Sequence, residues 1–160
     1  MSHLVVAATA EQTRAVGSRL AALVRPGDLL VLSGDLGAGK TTFTQGLGSA
    51  LGVRGAVTSP TFVISRVHPS LVGGPALVHV DAYRLGELAE LDDLDLDTSL
   101  ADAVTVVEWG TGLAEALAAD RLEIEIRRAH ADDPGETRTL RLLGVGERWA
   151  GVDLSAVSRP

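Results

Sequence analysis

The run Leu29 to Leu32 is uninterruptedly apolar, and Gly34-Asp35-Leu36-Gly37-Ala38-Gly39-Lys40-Thr41 follows it almost directly. A short apolar run without alternation reads as a strand covered on both faces. The glycines then turn the chain, and Lys40 to about Leu51 reads as a helix that Gly52 is placed to end. A buried strand turning through glycines into a helix belongs to open α/β sheets with helices on both sides. This one stretch therefore predicts a three-layer α/β fold.

GDLGAGKT matches the pattern G-x-x-x-x-G-K-[ST]. A chance match is expected in roughly one of a few hundred chains of this size at average residue usage. Lys40 is also the only lysine of the 160 residues, the other thirteen basic side chains being arginine. In such a loop the backbone N–H groups turn inward towards phosphate oxygens, and the helix beginning near Lys40 adds its positive end. An ammonium is a compact point charge on a flexible stem, whereas a guanidinium is a wide planar fork. A chain that elsewhere uses arginine thus has a physical reason to keep lysine here. Thr41 carries the hydroxyl expected on Mg²⁺. Thr42 either meets a phosphate oxygen or caps the helix. The plain alternative is a glycine-rich turn with an incidental lysine.

The rest of the chain fits one domain over residues 1–150 with a tail, 151–160, that reads as frayed. Val5 to Ala8 reads as a strand. Thr9 and Gln12 have the spacing of a capping box, opening a helix to about Val24 with Val16, Leu20, Leu23 and Val24 on one face. Pro26-Gly27 stops it. Strands are expected at Thr61 to His68, Ala76 to Asp81 and Val104 to Glu108, and a short helix at Gly112 to Ala119. Leu122 to Arg128 alternates, and Thr137 to Leu143 pairs with it as a hairpin across Ala131 to Glu136. The expected sheet is mixed and mostly parallel, with an antiparallel C-terminal hairpin. Composition is globular, 46% hydrophobic and 22% charged, with no cysteine and hence no disulfide or thiolate metal site. The net charge of −7 argues against broad nonspecific nucleic-acid binding. No apolar run reaches the roughly 18 residues of a membrane span. The N-terminus lacks a signal-peptide pattern, so a cytoplasmic location is expected.

A nucleotide-hydrolysing site needs a carboxylate on its metal side, usually at the end of an apolar strand. Asp81 ends ALVHVD and Glu108 ends AVTVVE. Each alone reads equally as a polar strand terminus; beside the loop they form a metal-side pair, because ligands in open α/β sheets lie at the carboxyl ends of strands. Thr58-Ser59-Pro60-Thr61 falls where a γ-phosphate-sensing segment is often found, and reads equally as a Ser-Pro turn.

GDLGAGKTTF, SPTF, HVDAYRL and VEWG, in this order and at these separations, closely resemble the bacterial TsaE (YjeE) family of P-loop ATPases, which serve the formation of threonylcarbamoyladenosine on tRNA. The resemblance spans roughly Thr9 to Gly110 and is looser beyond. It implies a P-loop NTPase domain that binds ATP and Mg²⁺. The loop residues Gly34, Asp35, Leu36, Gly37, Ala38, Gly39, Lys40, Thr41 and Thr42 would contact the nucleotide, with Ser59 and Thr61 as a switch-like segment. Thr41, Asp81 and Glu108 would lie on the metal side, and Lys40, Asp81 and Glu108 would serve catalysis. It further implies an accessory ATPase working with the partner proteins TsaB and TsaD, and through them with tRNA. With no evident internal arginine finger, hydrolysis alone is expected to be slow and partner-stimulated.

Other features admit plainer readings. Arg84, after Tyr83, reads as a phosphate, partner or tRNA contact or as a surface ion pair. Trp109 reads as a residue near the site or a loop anchor, and Trp149 as a hydrophobic anchor for the last segment. Glu87 to Asp102 holds seven acids and no base, interleaved with leucines, and reads as a solvated helix and loop or as an acidic docking surface. It lacks the central glycine and terminal glutamate of a calcium loop. The histidines show no metal-ligand spacing. His79, two residues before Asp81, shares its strand face and reads as a packed or supporting residue. Two rival functions use the same loop: a small-molecule or nucleoside kinase, for which Glu87 to Asp102 offers no arginine-bearing lid, and a module that holds ATP without turning it over.

Overall fold

The computed structural model describes residues 2–34, 38–53, 65–81, 102–108, 120–128 and 135–158. Among these residues seven strands form one sheet: β1 (Ser2–Ala7), β2 (Leu29–Ser33), β3 (Ser65–His68), β4 (Ala76–Asp81), β5 (Ala103–Glu108), β6 (Arg121–Arg128) and β7 (Arg138–Val145). Their spatial order is β1-β7-β6-β2-β5-β4-β3. The four central strands β6, β2, β5 and β4 are parallel. β7 is antiparallel to β6, β1 to β7, and β3 to β4. The expected hairpin is present; the antiparallel pairings of β1 and β3 at the two edges extend beyond it. The N-terminal strand is Ser2–Ala7 rather than Val5 to Ala8.

Helix α1 (Ala10–Leu20) starts as its sequence predicts: the Thr9 hydroxyl accepts from the Gln12 N–H at 3.1 Å, and the Gln12 side chain accepts from the Ala8 N–H at 2.7 Å. It ends at Leu20, short of Val24, and Leu23 and Val24 continue as hydrogen-bonded turns half-buried against the core. Helix α2 (Lys40–Leu51) ends on Gly52 in the left-handed conformation. The two helices cover one sheet face, where Val16, Leu20, Phe43 and Leu47 pack on Leu30, Leu32, Val106, Leu122, Ile124 and Ile126. The alternate positions Leu29, Val31, Val78, Val80 and Val107 are buried too, so the central strands are covered on both faces. This is why Leu29 to Leu32 shows no polar alternation.

The helices touch backbone to backbone. A Cβ at Gly17 would overlap the Phe43 carbonyl oxygen, and one at Gly46 the Arg14 carbonyl oxygen. Two glycines facing opposite ways thus fix how closely α2, which follows the glycine loop, lies on α1.

The expected fraying past residue 150 is not what the structure shows. A short helix α3 (Glu147–Ala150) and a 3₁₀ turn (Leu154–Ser158) pack back on the domain, burying Trp149, Leu154 and Val157 in the main core. Arg148 fixes this segment. Its guanidinium donates to both carboxylate oxygens of buried Asp28 at 2.8 Å and to the Leu23 carbonyl at 2.7 Å, and lies 4.3 Å over the Trp149 ring. Asp28 also accepts from the Arg25 N–H at 2.8 Å. Among the described residues no helix is long and apolar enough to cross a membrane.

A glycine-loop site at the carboxyl ends of the parallel strands

The site grows out of the β2-to-α2 turn. Gly34 leaves the strand with φ 149°, and a side chain there would run into the Ile126 carbonyl oxygen on β6. Gly39 caps α2 with φ 112°, a left-handed conformation that disfavours any Cβ. The first turn of α2 carries no acidic residue, and Gly39 offers no side-chain cap, so the positive end of the helix faces the turn. Lys40 is the first helical residue and is buried. Its Nζ reaches back across the turn to donate to the Gly34 carbonyl at 2.7 Å. The ammonium therefore spans the loop from its last residues to its first. Thr41 and Thr42 follow, half-buried, and the Thr44 hydroxyl is turned away, donating to the Lys40 carbonyl at 2.8 Å.

The strand ends supply the carboxylates. Register sets Glu108 opposite Leu32 on one side and Asp81 on the other, so β2, β5 and β4 finish side by side next to the turn. Glu108 is 4% exposed. Its Oε1 lies 3.3 Å from Nε2 of the fully buried His79, without hydrogen-bond alignment, and among the described residues neither atom has another hydrogen-bond partner. A buried carboxylate oxygen left unsatisfied is costly, and a cation at the strand ends would satisfy it. The glycine turn and this carboxylate together fit a magnesium-bound polyphosphate: the positive end of a helix, a compact cation across the turn, and an acceptor-only group beside it.

The structure thus brings Gly34, Ala38, Gly39, Lys40, Thr41 and Thr42 into one turn, with Glu108 and the backbone of Asp81 at the neighbouring strand ends. Asp35, Leu36, Gly37, Ser59, Thr61, Arg84 and Trp109 lie outside the described residues, as do the expected 112–119 helix and most of the acidic run. Among the described residues no group of three or more potential metal ligands clusters.

Sequence reading did not single out Arg138. Its Nε donates to the Ala38 carbonyl at 2.9 Å and its Nη1 to the Gly135 and Thr137 carbonyls at 2.7 and 2.9 Å, tying the start of β7 to the glycine loop. An arginine opening a strand across a hundred residues gives no local signal.

A mixed sheet with a parallel centre, antiparallel edges and a glycine turn at the carboxyl end of a central strand defines a single α/β domain of the open-sheet class. The family model described as "Threonylcarbamoyl adenosine biosynthesis protein TsaE" matches residues 7–139. The tRNA threonylcarbamoyladenosine biosynthesis protein TsaE of Streptomyces coelicolor is 63% identical over 146 residues, covering 91% of this chain and 99% of its own. The protein of the same name from Bacillus subtilis is 41% identical over 140 residues, covering 87% and 84%. The crystal structure of Bacillus subtilis YdiB superposes with a TM-score of 0.72 at 35% identity, covering 93% of this chain and 89% of that one. The chain belongs to the TsaE family.

Proposed function

We propose that this chain binds ATP with Mg²⁺ in the glycine loop and hydrolyses it in support of tRNA threonylcarbamoyladenosine formation, as a cytoplasmic accessory ATPase of a complex with TsaB and TsaD. The observation that supports the nucleotide reading is the loop itself: Lys40 Nζ, 2.7 Å from the Gly34 carbonyl, bridges a turn that ends on left-handed Gly39 and opens a helix with no acidic residue in its first turn. The names of its relatives supply the pathway.

Lys40 exchanges its bond to the Gly34 carbonyl for phosphate oxygens as ATP enters, so the ammonium is not desolvated without a partner at either stage. The backbone N–H groups of the loop and of the first turn of α2 orient the phosphates and stabilise the charge that builds on them. Thr41 and Glu108, with Asp81, would hold Mg²⁺, which when bound neutralises phosphate charge. Glu108 is kept from swinging into solvent by its burial and by His79 beside it. Ser59 to Thr61 are the residues proposed to respond to the γ-phosphate and so alter the surface seen by the partners.

The test is phosphate release by the chain alone and with both partner proteins, for the wild type and for Lys40→Ala and Lys40→Arg. Slow release alone, stimulation by the partners and loss in both variants support the reading. Normal turnover by Lys40→Ala overturns the site assignment, and transfer of phosphate to a small acceptor would favour a kinase instead.

A further inference from the structure

β4 and β5 run parallel, with His79 opposite Val106 and Asp81 opposite Glu108. Strand alternation therefore puts His79 on the sheet face that carries Leu77, Val104, Val106 and Glu108. Leu77, Val104 and Val106 belong to the main core. His79 is a fully buried imidazole just short of the strand ends, where packing alone would favour another leucine or valine.

The ring is also unsatisfied. Among the described residues neither of its nitrogens has a hydrogen-bond partner, and Nε2 stands 3.3 Å from Glu108 Oε1, itself buried and unpartnered. An orphaned imidazole in a core costs stability, whereas a leucine there would bring no polar atom to satisfy. Packing thus gives no reason for a histidine, and the neighbouring carboxylate does. A neutral imidazole facing a carboxylate carries its proton on the facing nitrogen. With the proton on Nε2, donor and acceptor are already within reach, and rotation of the carboxylate would align them.

We infer that His79 is a positioning residue for the metal-side carboxylate: its Nε2–H takes one oxygen of Glu108 and leaves the other for the Mg²⁺ that accompanies the nucleotide. This rests on the ATP·Mg²⁺ reading of the glycine turn. Carboxylates that ligate metals are themselves held by hydrogen bonds, and loss of such a partner costs about 10–100-fold in metal affinity or activity. His79 touches neither nucleotide nor metal in this arrangement and acts only through Glu108.

The test reads binding rather than turnover. The full chain is titrated calorimetrically with a non-hydrolysable ATP analogue, once with Mg²⁺ and once with EDTA, beside thermal unfolding without ligand. His79→Leu, His79→Gln and His79→Asn are compared with the wild type. A glutamine amide reaches about as far as Nε2, and an asparagine amide about as far as Nδ1. The wild type should bind at least about tenfold more tightly with Mg²⁺ than with EDTA. His79→Leu should lose about tenfold with Mg²⁺, the low end for such a partner, keep its affinity with EDTA, and unfold no earlier than the wild type. His79→Gln should keep the Mg²⁺ gain and His79→Asn should lose it. If His79→Leu unfolds earlier, the contrast between glutamine and asparagine decides. An undiminished Mg²⁺ gain in His79→Leu, equal losses with and without the metal, or equal behaviour of the two amides would overturn the positioning role and leave the nucleotide reading standing. A wild type that binds equally with and without Mg²⁺ would remove the metal reading, one that binds in neither condition would remove the nucleotide reading, and either result takes this inference with it.

Discussion

Replacing Arg148 by methionine should destabilise the domain more than a surface ion pair would suggest. The Asp28 and Arg148 side chains are 4% and 12% exposed, and they meet in a bidentate pair at 2.8 Å. Methionine keeps an apolar stem near Trp149, so the loss is mostly electrostatic. It leaves the buried carboxylate to the Arg25 N–H, and it strips the Leu23 carbonyl of its guanidinium donor. Removing one partner of a buried pair typically costs about 3–5 kcal/mol. The retained Arg25 bond places Arg148→Met at the lower end, about 3 kcal/mol. For a chain of this length each kcal/mol lowers the melting temperature by about 2–4 °C, so a fall of about 6–12 °C is expected by calorimetry. Urea unfolding should give the same free energy, and a double-mutant cycle with Asp28→Asn should show at least about 1.5 kcal/mol of coupling. A loss below about 1 kcal/mol, or additive single variants, would show that the pair does not hold the C-terminal segment to the turn before β2.

Three further outcomes follow from the same packing. Gly46→Ala raises intrinsic helix propensity by about 1 kcal/mol, yet its Cβ would collide with the Arg14 backbone carbonyl; a net loss of about 1–3 kcal/mol in urea unfolding is expected, typical of overpacking, together with weaker ATP binding as α2 shifts. Glu108→Gln should reduce partner-stimulated phosphate release by at least about a hundredfold, a loss of about 2.7 kcal/mol of barrier lowering, while calorimetry finds ATP still bound. Leu154→Ala should cost about 2–4 kcal/mol in thermal unfolding, whereas a frayed tail would leave the melting temperature where it was.

The elements legible in the sequence are those whose signal is local. Leu29 to Leu32, the glycine turn and α2 fall within a stretch of about two dozen residues, each implying the next. Thr9 and Gln12 announced the start of α1 because a capping box is complete within four residues. The hairpin was readable because alternation in Leu122 to Arg128 is unbroken and turn residues stand between its arms. What could not be read depends on residues far apart in the chain. Asp28 and Arg148 are 120 positions apart, and nothing near either residue names the other. Arg138 meets the loop at a separation of 100. β1 pairs with β7 rather than with its sequence neighbours, a choice made by the sheet edge left open once the hairpin has formed. The buried C-terminal segment carried a weak sign, since Leu154 and Val157 are one helical turn apart, but a polar and glycine-containing setting concealed it. Of the candidate site, the placement of the glycine turn and of Glu108 at neighbouring strand ends was legible from motif and strand pattern; the tie from Arg138 to the Ala38 carbonyl was not, because it joins separate elements.

The imidazole of His3 lies 3.2 Å from the Ser158 hydroxyl, where β1 begins and the last 3₁₀ turn finishes. β1 runs in the same direction as β2, so this meeting point sits on the floor of the sheet, while the glycine turn sits on its rim. Whatever is tethered at either extremity, be it a reporter, a surface linker or a neighbouring polypeptide, would hang below the domain and leave the glycine turn on the rim uncovered.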